Sequence, residues 1–350
     1  MCALDLFSDA DTRRFAVVSE AVRSRAGEMP GFDREDLLRR AARLCPPSKC
    51  LGLVYGAGFE DDVETLALLA DGRELLGNPP ELVARLKDPA YFFGLLDRLS
   101  IPHPQTTLAR PGSVRGWLYK RRGASGGAHV VDASVAGREV TAGEGYFQRR
   151  VTGESLSMLF LADGRRAHVV GISRQLTRRV GSRRYTYAGA AGPIDLPAVV
   201  SRTLLEAVHA LVAQTGLVGC NSIDFVLAGH TPTVLEINPR PSATVDLYDD
   251  DWSEGLFDAH VRACGGQLPG ARAPGRARSV RAHAIVYAGA GLRIAPDASF
   301  PTWCSDVPHG GADVAVDSPV CTVHAGGSDL TAALRQLGRR RRQTHLRLAR

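Results

Sequence analysis

The spacing of apolar residues along the chain predicts helices at its two ends and between its strand regions. Over residues 196–215 apolar side chains recur at helical spacing, which predicts a long helix with Asp195 as its N-cap and Gly216 as its stop. Shorter helices are predicted over 62–69, 91–99 and 330–337. The run 50–55 (CLGLVY), followed by a glycine turn, indicates a short buried strand.

The middle of the chain has the pattern of strands. Short runs of β-branched and aromatic residues between turn residues predict strands over 117–120, 129–135, 146–151, 155–161, 223–227 and 233–238. Strands that are joined by short turns pair in an antiparallel way, so the pattern predicts an antiparallel sheet. Two more strands are predicted near 282–287 and 319–324.

The length of 350 residues is too great for one ordinary core and predicts three modules of mixed α/β (α+β) class. We predict a small N-terminal α/β domain over 1–85, a central body over 86–270, and a linker with a small C-terminal domain over 271–350. The stretch 265–278 is rich in Gly, Pro and Arg, which is typical of a linker. Asp61 stands where a G-x-G-x-x-G motif needs glycine, so a dinucleotide site is not expected.

Composition and charge exclude several classes of protein. The chain is 44% apolar and 23% charged, has no apolar run long enough to span a bilayer, and begins without a basic leader, so a cytoplasmic location is predicted. Its seven cysteines form no C-x-x-C pair, which favours reduced thiols over a zinc or disulfide framework. The net charge of +6 is spread along the chain without a nucleic-acid-binding motif and suits an anionic small substrate equally well.

The segment 223–238 gives the most specific indication of a chemical function. Folded as a hairpin centred on His230, it places Asp224 opposite Glu236, and Asn238 emerges on the same face two residues further on. Two facing carboxylates repel each other unless a proton or a cation lies between them. An oxygen donor set of Asp, Glu and Asn suits a hard cation, above all Mg²⁺. The alternative is a polar hairpin face in a different register that is turned to solvent.

A glycine-rich loop follows the strand that ends in Lys120. Small residues over 123–128 let backbone N–H groups approach an anion, and the lysine supplies a positive charge for phosphate oxygens. Basic residues in this chain are almost all arginines, with lysine only at Lys49, Lys87 and Lys120. The letters G-x-S-x-G around Ser125 also match the nucleophile elbow of serine hydrolases, but that motif requires a helix after the turn, where this sequence predicts a strand.

Three segments, in this order, resemble the ATP-grasp superfamily: 120–128 (KRRGASGGA), 147–155 (FQRRVTGES), and Asp224 with 235–241 (LEINPRP). The resemblance covers roughly residues 87–256. It implies an ATP site made of Lys87, Lys120, Ser125, Gly126, Gly127, Gln148, Arg149, Arg150, Val151, Glu154 and Ser155. It also implies that Asp224, Glu236 and Asn238 hold Mg²⁺, for which Mn²⁺ can substitute, and that Arg240 is a catalytic residue that stabilises the anionic intermediate or orients the substrate carboxylate.

The implied activity is that of an ADP-forming ligase, which joins a small-molecule carboxylate to an amine through an acyl phosphate. Two positions depart from the family pattern. The lysine of the usual Asp-Lys pair is displaced to Lys87, and Ser155 stands where many members have a ribose-binding Glu, with Glu154 beside it. These departures keep a second hypothesis open, namely an ATP-binding regulatory or scaffolding protein. The resemblance also implies a homodimer.

Two further hypotheses concern specificity. The stretch 171–192 carries five arginines and is interpreted either as a loop that closes over an anionic substrate, with Arg174 as a substrate ligand, or as a solvated loop. The segment 319–324 and the cluster Arg339–Arg342 are similar to an ATP-grasp subgroup that is linked to methanofuran and tetrahydromethanopterin and includes tyramine–glutamate ligase. That similarity implies glutamate or another amino acid as a substrate in one-carbon cofactor biosynthesis.

Overall fold

The computed structural model describes residues 1–25, 31–137, 143–270 and 279–348. Its helices are α1 (Ala10–Phe15), α2 (Arg34–Leu44), α3 (Val63–Ala70), α4 (Pro80–Lys87), α5 (Pro89–Arg98), α6 (Ala198–Thr215), α7 (Gly255–Cys264) and α8 (Leu330–Leu348). Its strands are β1 (Cys2–Asp5), β2 (Val18–Ala21), β3 (Thr106–Thr107), β4 (Trp117–Arg121), β5 (Val130–Asp132), β6 (Gly145–Arg149), β7 (Glu154–Asp163), β8 (Ala167–Val180), β9 (Arg183–Gly192), β10 (Val218–Ala228), β11 (Thr231–Asn238), β12 (Val280–Tyr287), β13 (Leu292–Arg293), β14 (Cys304–Ser305), β15 (Asp313–Val314) and β16 (Pro319–Gly327).

A large antiparallel sheet forms the centre of the molecule. Its strand order is β11-β10-β7-β8-β9-β12-β16-β14, and every neighbouring pair is antiparallel. Strands β12, β16 and β14 therefore continue the same sheet, whereas β13 and β15 form a separate two-stranded sheet. The strands of this region pack around a core cluster of their own with α8. Part of the predicted linker, residues 271–278, lies outside the described residues, and the three-module division stays a prediction.

Helices α5 and α6 cover one face of this sheet. Leu95 from α5 and Val208 from α6 join Phe160 and Phe225 in one buried cluster, in which each of these side chains is fully buried. Burying a side chain of this size contributes about 1.5–3 kcal/mol. The packing supports β7, β10 and β11 side by side, and β10 and β11 carry the predicted metal-binding residues.

A smaller sheet of order β3-β6-β4-β5 carries the glycine-rich loop. The loop connects β4 to β5, and no helix follows Ser125 before β5 begins at Val130. The strand–turn–helix that a nucleophile elbow requires is therefore absent at this position. Strand β5 is shorter than predicted, because the chain turns after Asp132.

Several predictions at the element level are wrong. Residues 50–55 do not form a strand: Leu51 is exposed, and only Leu53 makes a parallel bridge, to Leu75. Asp195 does not cap α6, which begins after Pro197, because a residue that precedes proline is disfavoured in helical geometry. Gly216 does end that helix, in a left-handed conformation.

The arginine-rich stretch 171–192 is not a loop. It forms most of the β8–β9 hairpin at the middle of the large sheet, so both loop interpretations are wrong. Helix α8 also continues to Leu348, well beyond the predicted end at 337, so Arg339–Arg342 lie inside the helix. Among the described residues, no helix is long and apolar enough to cross a membrane.

Carboxylates near the start of the chain lie close to Asp306 beside α1. Asp11 accepts hydrogen bonds from the backbone N–H groups of Asp306 and Val307, at 2.8 and 3.2 Å. Burial, together with the charges of Asp306, Asp5 and Asp11, raises the pKa of Asp9 to about 7. A carboxyl whose pKa is raised by folding stabilises the fold fully below its unfolded pKa, and this contribution is lost as the pH rises through about 7.

Replacement of Asp9 by Asn should therefore remove one pH-dependent contribution to stability. We expect Asp9→Asn to be more stable than the wild type at pH 8, by about 1 kcal/mol after allowance for solvent screening, and similar to it at pH 4. Urea unfolding of both proteins from pH 4 to 8 measures this difference. A difference that does not change with pH would contradict the assignment of the raised pKa to Asp9.

Candidate active site

The β10–β11 hairpin pairs Asp224 with Glu236, as the sequence predicts. The turn itself is tighter than the prediction, because Ala228 pairs with Thr231 across a two-residue connection, Gly229 and His230. A bulge between Asp224 and Phe225 then shifts the register by one residue. Because of this shift, Asp224 lies opposite Glu236, as predicted. Both carboxylates remain partly accessible to solvent.

Asn238 lies on the same face of the hairpin. Its Nδ2 is 3.4 Å from Asp224 Oδ2, and its Oδ1 accepts a hydrogen bond of 2.9 Å from Lys87 Nζ. Lys87 is the last residue of α4, so the displaced lysine reaches the predicted metal site rather than pointing away from it. The role of Lys87 as an ATP ligand stays a prediction.

Positive charges surround the carboxylate pair. Lys120 on β4 is buried, and burial lowers the pKa of its ammonium group although the charges of Glu236 and Asp224 oppose this. Burial opposes the ionisation of Glu236, but the charges of Lys87, Lys120 and His129 outweigh it and hold the pKa of Glu236 below its usual range. Burial, followed by the repulsion from Glu236, raises the pKa of Asp224.

This donor set fits a magnesium ion. Among the described residues no group of three or more His, Cys, Asp or Glu side chains is arranged to hold a metal. Two carboxylates and one amide oxygen on one face are instead what Mg²⁺ takes when phosphate oxygens and waters complete its octahedron. Burial and the charge of Glu236 raise the pKa of Asp224, and a cation bound between the two carboxylates would relieve this repulsion.

The glycine-rich loop lies against β9. Gly126 accepts a hydrogen bond of 2.8 Å from the backbone N–H of Tyr187, and the backbone N–H of Val130 donates to Gly127 at 3.2 Å. His129 follows the loop, and its Nδ1 is 3.3 Å from the carbonyl oxygen of Ser125. These contacts hold the loop against β9, and its contact with phosphates stays a prediction.

The segment that is predicted to contact adenine divides into a buried and an exposed part. Gln148 is buried on β6, and among the described residues its Nε2 finds no hydrogen-bond acceptor. Arg149 and Arg150 are exposed, and Arg149 donates to the carbonyl oxygen of Arg115 at 2.9 Å. Gln148 is therefore the member of this segment with an unused buried donor, and the adenine contacts of all four residues, including Val151, stay predictions.

Strands β7 and β8 place Glu154 and Ser155 on opposite faces. Glu154 pairs with Arg174, whereas Ser155 Oγ donates to Gln175 Oε1 at 2.9 Å. Asp224 shares hydrogen bonds with Gln175 and Ser157. Arg174 is thus joined to Glu154 on the face opposite to the carboxylate pair, and a substrate contact by Arg174 stays a prediction. Gln175 and Ser157 support Asp224 and were not predicted from the sequence.

Arg240 is held by a residue of the N-terminal segment, that is, residues 1–85. Its Nε donates to Glu60 Oε1 at 2.6 Å and its Nη1 donates to the carbonyl oxygen of Pro241 at 3.0 Å. Both members of the Arg240–Glu60 pair are buried. Glu60 was not predicted, because nothing in the local sequence pattern relates it to a residue 180 positions away.

A second contact fixes the backbone beside Arg240. The Pro239 carbonyl oxygen accepts hydrogen bonds from Asn78 Nδ2 at 2.9 Å and from the Tyr55 hydroxyl at 3.3 Å. Asn78 also donates to Asn221 Oδ1 at 2.8 Å and accepts from the backbone N–H of Val218 at 2.9 Å. The N-terminal segment therefore holds the end of β11, immediately after Asn238.

A cavity of about 540 Å³ separates the N-terminal segment from the glycine-rich loop. Its walls include Glu60, Lys87 and Gly123, and a narrower space that shares Lys87 and Gly123 continues to Glu236 beneath the loop. A cavity of this size accommodates a small organic molecule. The two spaces connect the carboxylate pair with the surface near the N-terminal segment.

Comparison with known proteins agrees with this arrangement. A family model described as "ATP-grasp domain" matches residues 91–244. The large chain of carbamoyl phosphate synthase from Deinococcus radiodurans is 25% identical over 244 residues, which make up 63% of this chain. The matched part is 23% of that relative, so the chain spans less than a quarter of its length.

Solved structures show the same fold at low sequence identity. N5-carboxyaminoimidazole ribonucleotide synthetase from Thermotoga maritima superimposes with a TM-score of 0.63 at 18% identity, covering 98% of this chain and 91% of that one. The biotin carboxylase domain of 2-oxoglutarate carboxylase from Hydrogenobacter thermophilus, a dimer in complex with MgADP, ADP and bicarbonate, gives a TM-score of 0.70 at 11% identity, covering 96% and 83%. The family match, the fold and the hairpin geometry agree: the chain has an ATP-grasp fold, and its residues 91–244 are similar to the ATP-grasp domain.

Proposed function

We propose that this protein is an ATP- and Mg²⁺-dependent, ADP-forming ligase that joins a carboxylate to an amine. The observation that carries the proposal is the facing pair of Asp224 and Glu236, with Asn238 beside it and two lysines within its field. A protein that only binds nucleotide has less need for the full metal site. The ligases and carboxylases among the similar proteins support the same activity.

The charge and position of each residue determine its role in the proposed reaction. Lys120 and the backbone amides of 125–127 bind phosphate oxygens, and the bound Mg²⁺ supplies charge neutralisation on the transferred phosphoryl group. The substrate carboxylate attacks the γ-phosphorus, ADP leaves, and the amine then displaces phosphate from the acyl carbon. Arg240 orients the substrate carboxylate or stabilises the anionic tetrahedral intermediate that forms when the amine adds to the acyl phosphate.

The finer parts of the proposal concern substrate and setting. The similarity of 319–324 and Arg339–Arg342 to the methanofuran and tetrahydromethanopterin subgroup supports glutamate or another amino acid as a substrate in one-carbon cofactor biosynthesis. We include in the proposal a cytoplasmic location and a homodimer, since the Hydrogenobacter relative is a dimer. All three parts are open to direct measurement.

Calorimetry of ATP binding with and without Mg²⁺ tests the central claim. We expect Mg²⁺-dependent binding to the wild type and binding at least about tenfold weaker to Glu236→Gln, because one anionic ligand is lost. Glu206→Gln, on the exposed face of α6, is the matched control and should bind like the wild type. ADP release is then screened with bicarbonate and the amino acids as carboxylates, and with ammonium and tyramine as amines. MgATP binding without ADP release would favour the regulatory alternative, and no binding by folded protein would refute both.

A further inference from the structure

The N-terminal segment reaches the predicted reaction centre through one buried ion pair. Glu60 is 6% exposed and Arg240 is 8% exposed, with 2.6 Å between Glu60 Oε1 and Arg240 Nε. A buried pair of this kind contributes little net stability, because desolvation of both charges offsets their attraction. Its presence two residues after Asn238 therefore calls for an explanation other than stability.

Both partners are held in one orientation. The Glu60 carboxylate uses Oε1 for Arg240, while its Oε2 accepts from the backbone N–H groups of Gly58 and Phe59 at 2.8 and 3.2 Å. The Arg240 guanidinium uses Nε for Glu60 and Nη1 for the Pro241 carbonyl oxygen. Among the described residues, no acceptor lies within hydrogen-bond distance of Arg240 Nη2. The guanidinium plane is thus fixed by two acceptors, and one nitrogen is left for an anion.

The surroundings show where that anion would lie. Glu60 lines the cavity of about 540 Å³, together with Lys87, whose Nζ is 2.9 Å from Asn238 Oδ1. The glycine-rich loop closes the other side: a Cβ atom at Gly123 would lie 2.5 Å from the Glu60 carbonyl oxygen. Glu60 therefore stands where the N-terminal segment, the loop and the end of β11 meet.

We propose that Glu60 is a positioning residue for the reaction: its carboxylate holds the Arg240 guanidinium at the end of β11, so that Nη2 is left to bind a carboxylate substrate that enters from the cavity lined by Glu60 and Lys87. This inference rests on the proposed function. Its consequence is that the N-terminal segment completes the site, because without Glu60 the arginine keeps its charge but loses its fixed direction. Loss of Glu60 should impair substrate orientation more than nucleotide binding, because Lys120 and the carboxylate pair do not depend on Glu60.

Three variants separate positioning from structural support. Glu60→Gln keeps the size of the side chain and one acceptor oxygen but removes the charge, and Glu60→Asp keeps the charge on a shorter side chain. Glu64→Gln is the matched control, because Glu64 also pairs with an arginine of the N-terminal segment, Arg34, at 2.9 Å, but is exposed on α3. We expect all three to bind MgATP with a Kd within about threefold of the wild type.

The kinetic readout is ADP release at saturating MgATP, with bicarbonate and, separately, with L-glutamate. For the probe that drives release in the wild type, kcat/KM should fall about 30-fold or more in Glu60→Gln, with partial rescue in Glu60→Asp and no change in Glu64→Gln. An unchanged kcat/KM in Glu60→Gln would overturn the proposal. An equal loss of MgATP affinity and of kcat/KM would also overturn it, because it would assign Glu60 a general structural role.

A second readout does not depend on turnover. In NMR spectra of ¹⁵N-arginine-labelled protein, the Arg240 Nε–H signal, assigned with Arg240→Lys, should be resolved and protected from exchange in the wild type and in Glu60→Asp. It should lose that protection in Glu60→Gln. A freely exchanging Nε–H in the wild type would refute the positioning role even if the protein is a ligase. A protected signal without any ADP release would instead count against the proposed function.

Discussion

Replacement of Lys120 by Met is expected to reduce kcat/KM for ATP by about 100-fold to 1,000-fold, a loss typical of the removal of one group that stabilises charge in a transition state. Lys120 lies on β4, and its ammonium group forms no hydrogen bond or ion pair with the described residues. Its charge is therefore balanced only at longer range, by Glu236 and Asp224. In the proposed function, the phosphate oxygens of ATP are the partner of this ammonium group.

The same reasoning predicts that the fold tolerates the change. Burial of an ammonium group without a close partner costs free energy, and Met fills a similar volume without that cost. The free energy of unfolding of Lys120→Met should therefore remain within about 1 kcal/mol of the wild type, measured by urea denaturation. Lys49→Met, at an exposed position, is the matched control for the loss of one lysine charge. Wild-type kinetics in Lys120→Met, or a large loss of stability, would contradict the role of Lys120 in phosphate binding.

The carboxylate pair could be predicted from the sequence because its geometry is local. Asp224 and Glu236 are twelve positions apart, and a hairpin fixes their relation through the alternation of side chains and the length of the turn. The predicted turn centre was off by half a residue, yet the bulge at Phe225 corrected the register. Burial of Ile223 and Ile237 favours that register, because a slip of one residue would turn these side chains to the opposite face.

Glu60 could not be predicted, because its partner is distant in the sequence. Local periodicity tells which face of an element is buried, but not which loop packs against the end of another element. Position 60 follows a glycine turn and resembles any surface acid; only the fold brings it to Arg240. The contacts of Asn78 with Val218, Asn221 and Pro239 could not be predicted from the sequence for the same reason.

The β8–β9 hairpin shows a different limit. The five arginines over 171–192 lead to its interpretation as a loop, and they interrupt the apolar alternation that is typical of a strand. In the sheet, one face of β8 carries polar groups such as Ser173 and Gln175, and Gln175 contacts Ser155 and Asp224. A strand that contributes polar side chains to a site lacks the alternation by which strands are recognised. The absence of a regular apolar alternation in this stretch was itself an indication of the candidate site.

Replacement of Gly127 by Ala is expected to displace the glycine-rich loop from β9. Gly127 has φ +71°, and a Cβ atom there would lie 2.1 Å from the Tyr185 carbonyl oxygen. Neither backbone can yield without breaking the hydrogen bond between Gly126 and Tyr187, which joins the loop to β9. Because the loop then no longer covers the phosphate position, we expect kcat/KM for ATP to fall by about 100-fold.

Gly126→Ala separates the steric effect from backbone strain. Gly126 has the same φ of +71°, but a Cβ atom there meets nothing within 4 Å. Only the strain of a left-handed alanine remains, about 1–2 kcal/mol, and the loop should stay in contact with β9. Hydrogen exchange of the Tyr187 amide reports the contact directly: it should be fast in Gly127→Ala and protected in Gly126→Ala. Equal kinetics and equal protection in the two variants would show that the loop does not act through its contact with β9, and the phosphate-binding role would then rest on Lys120 alone.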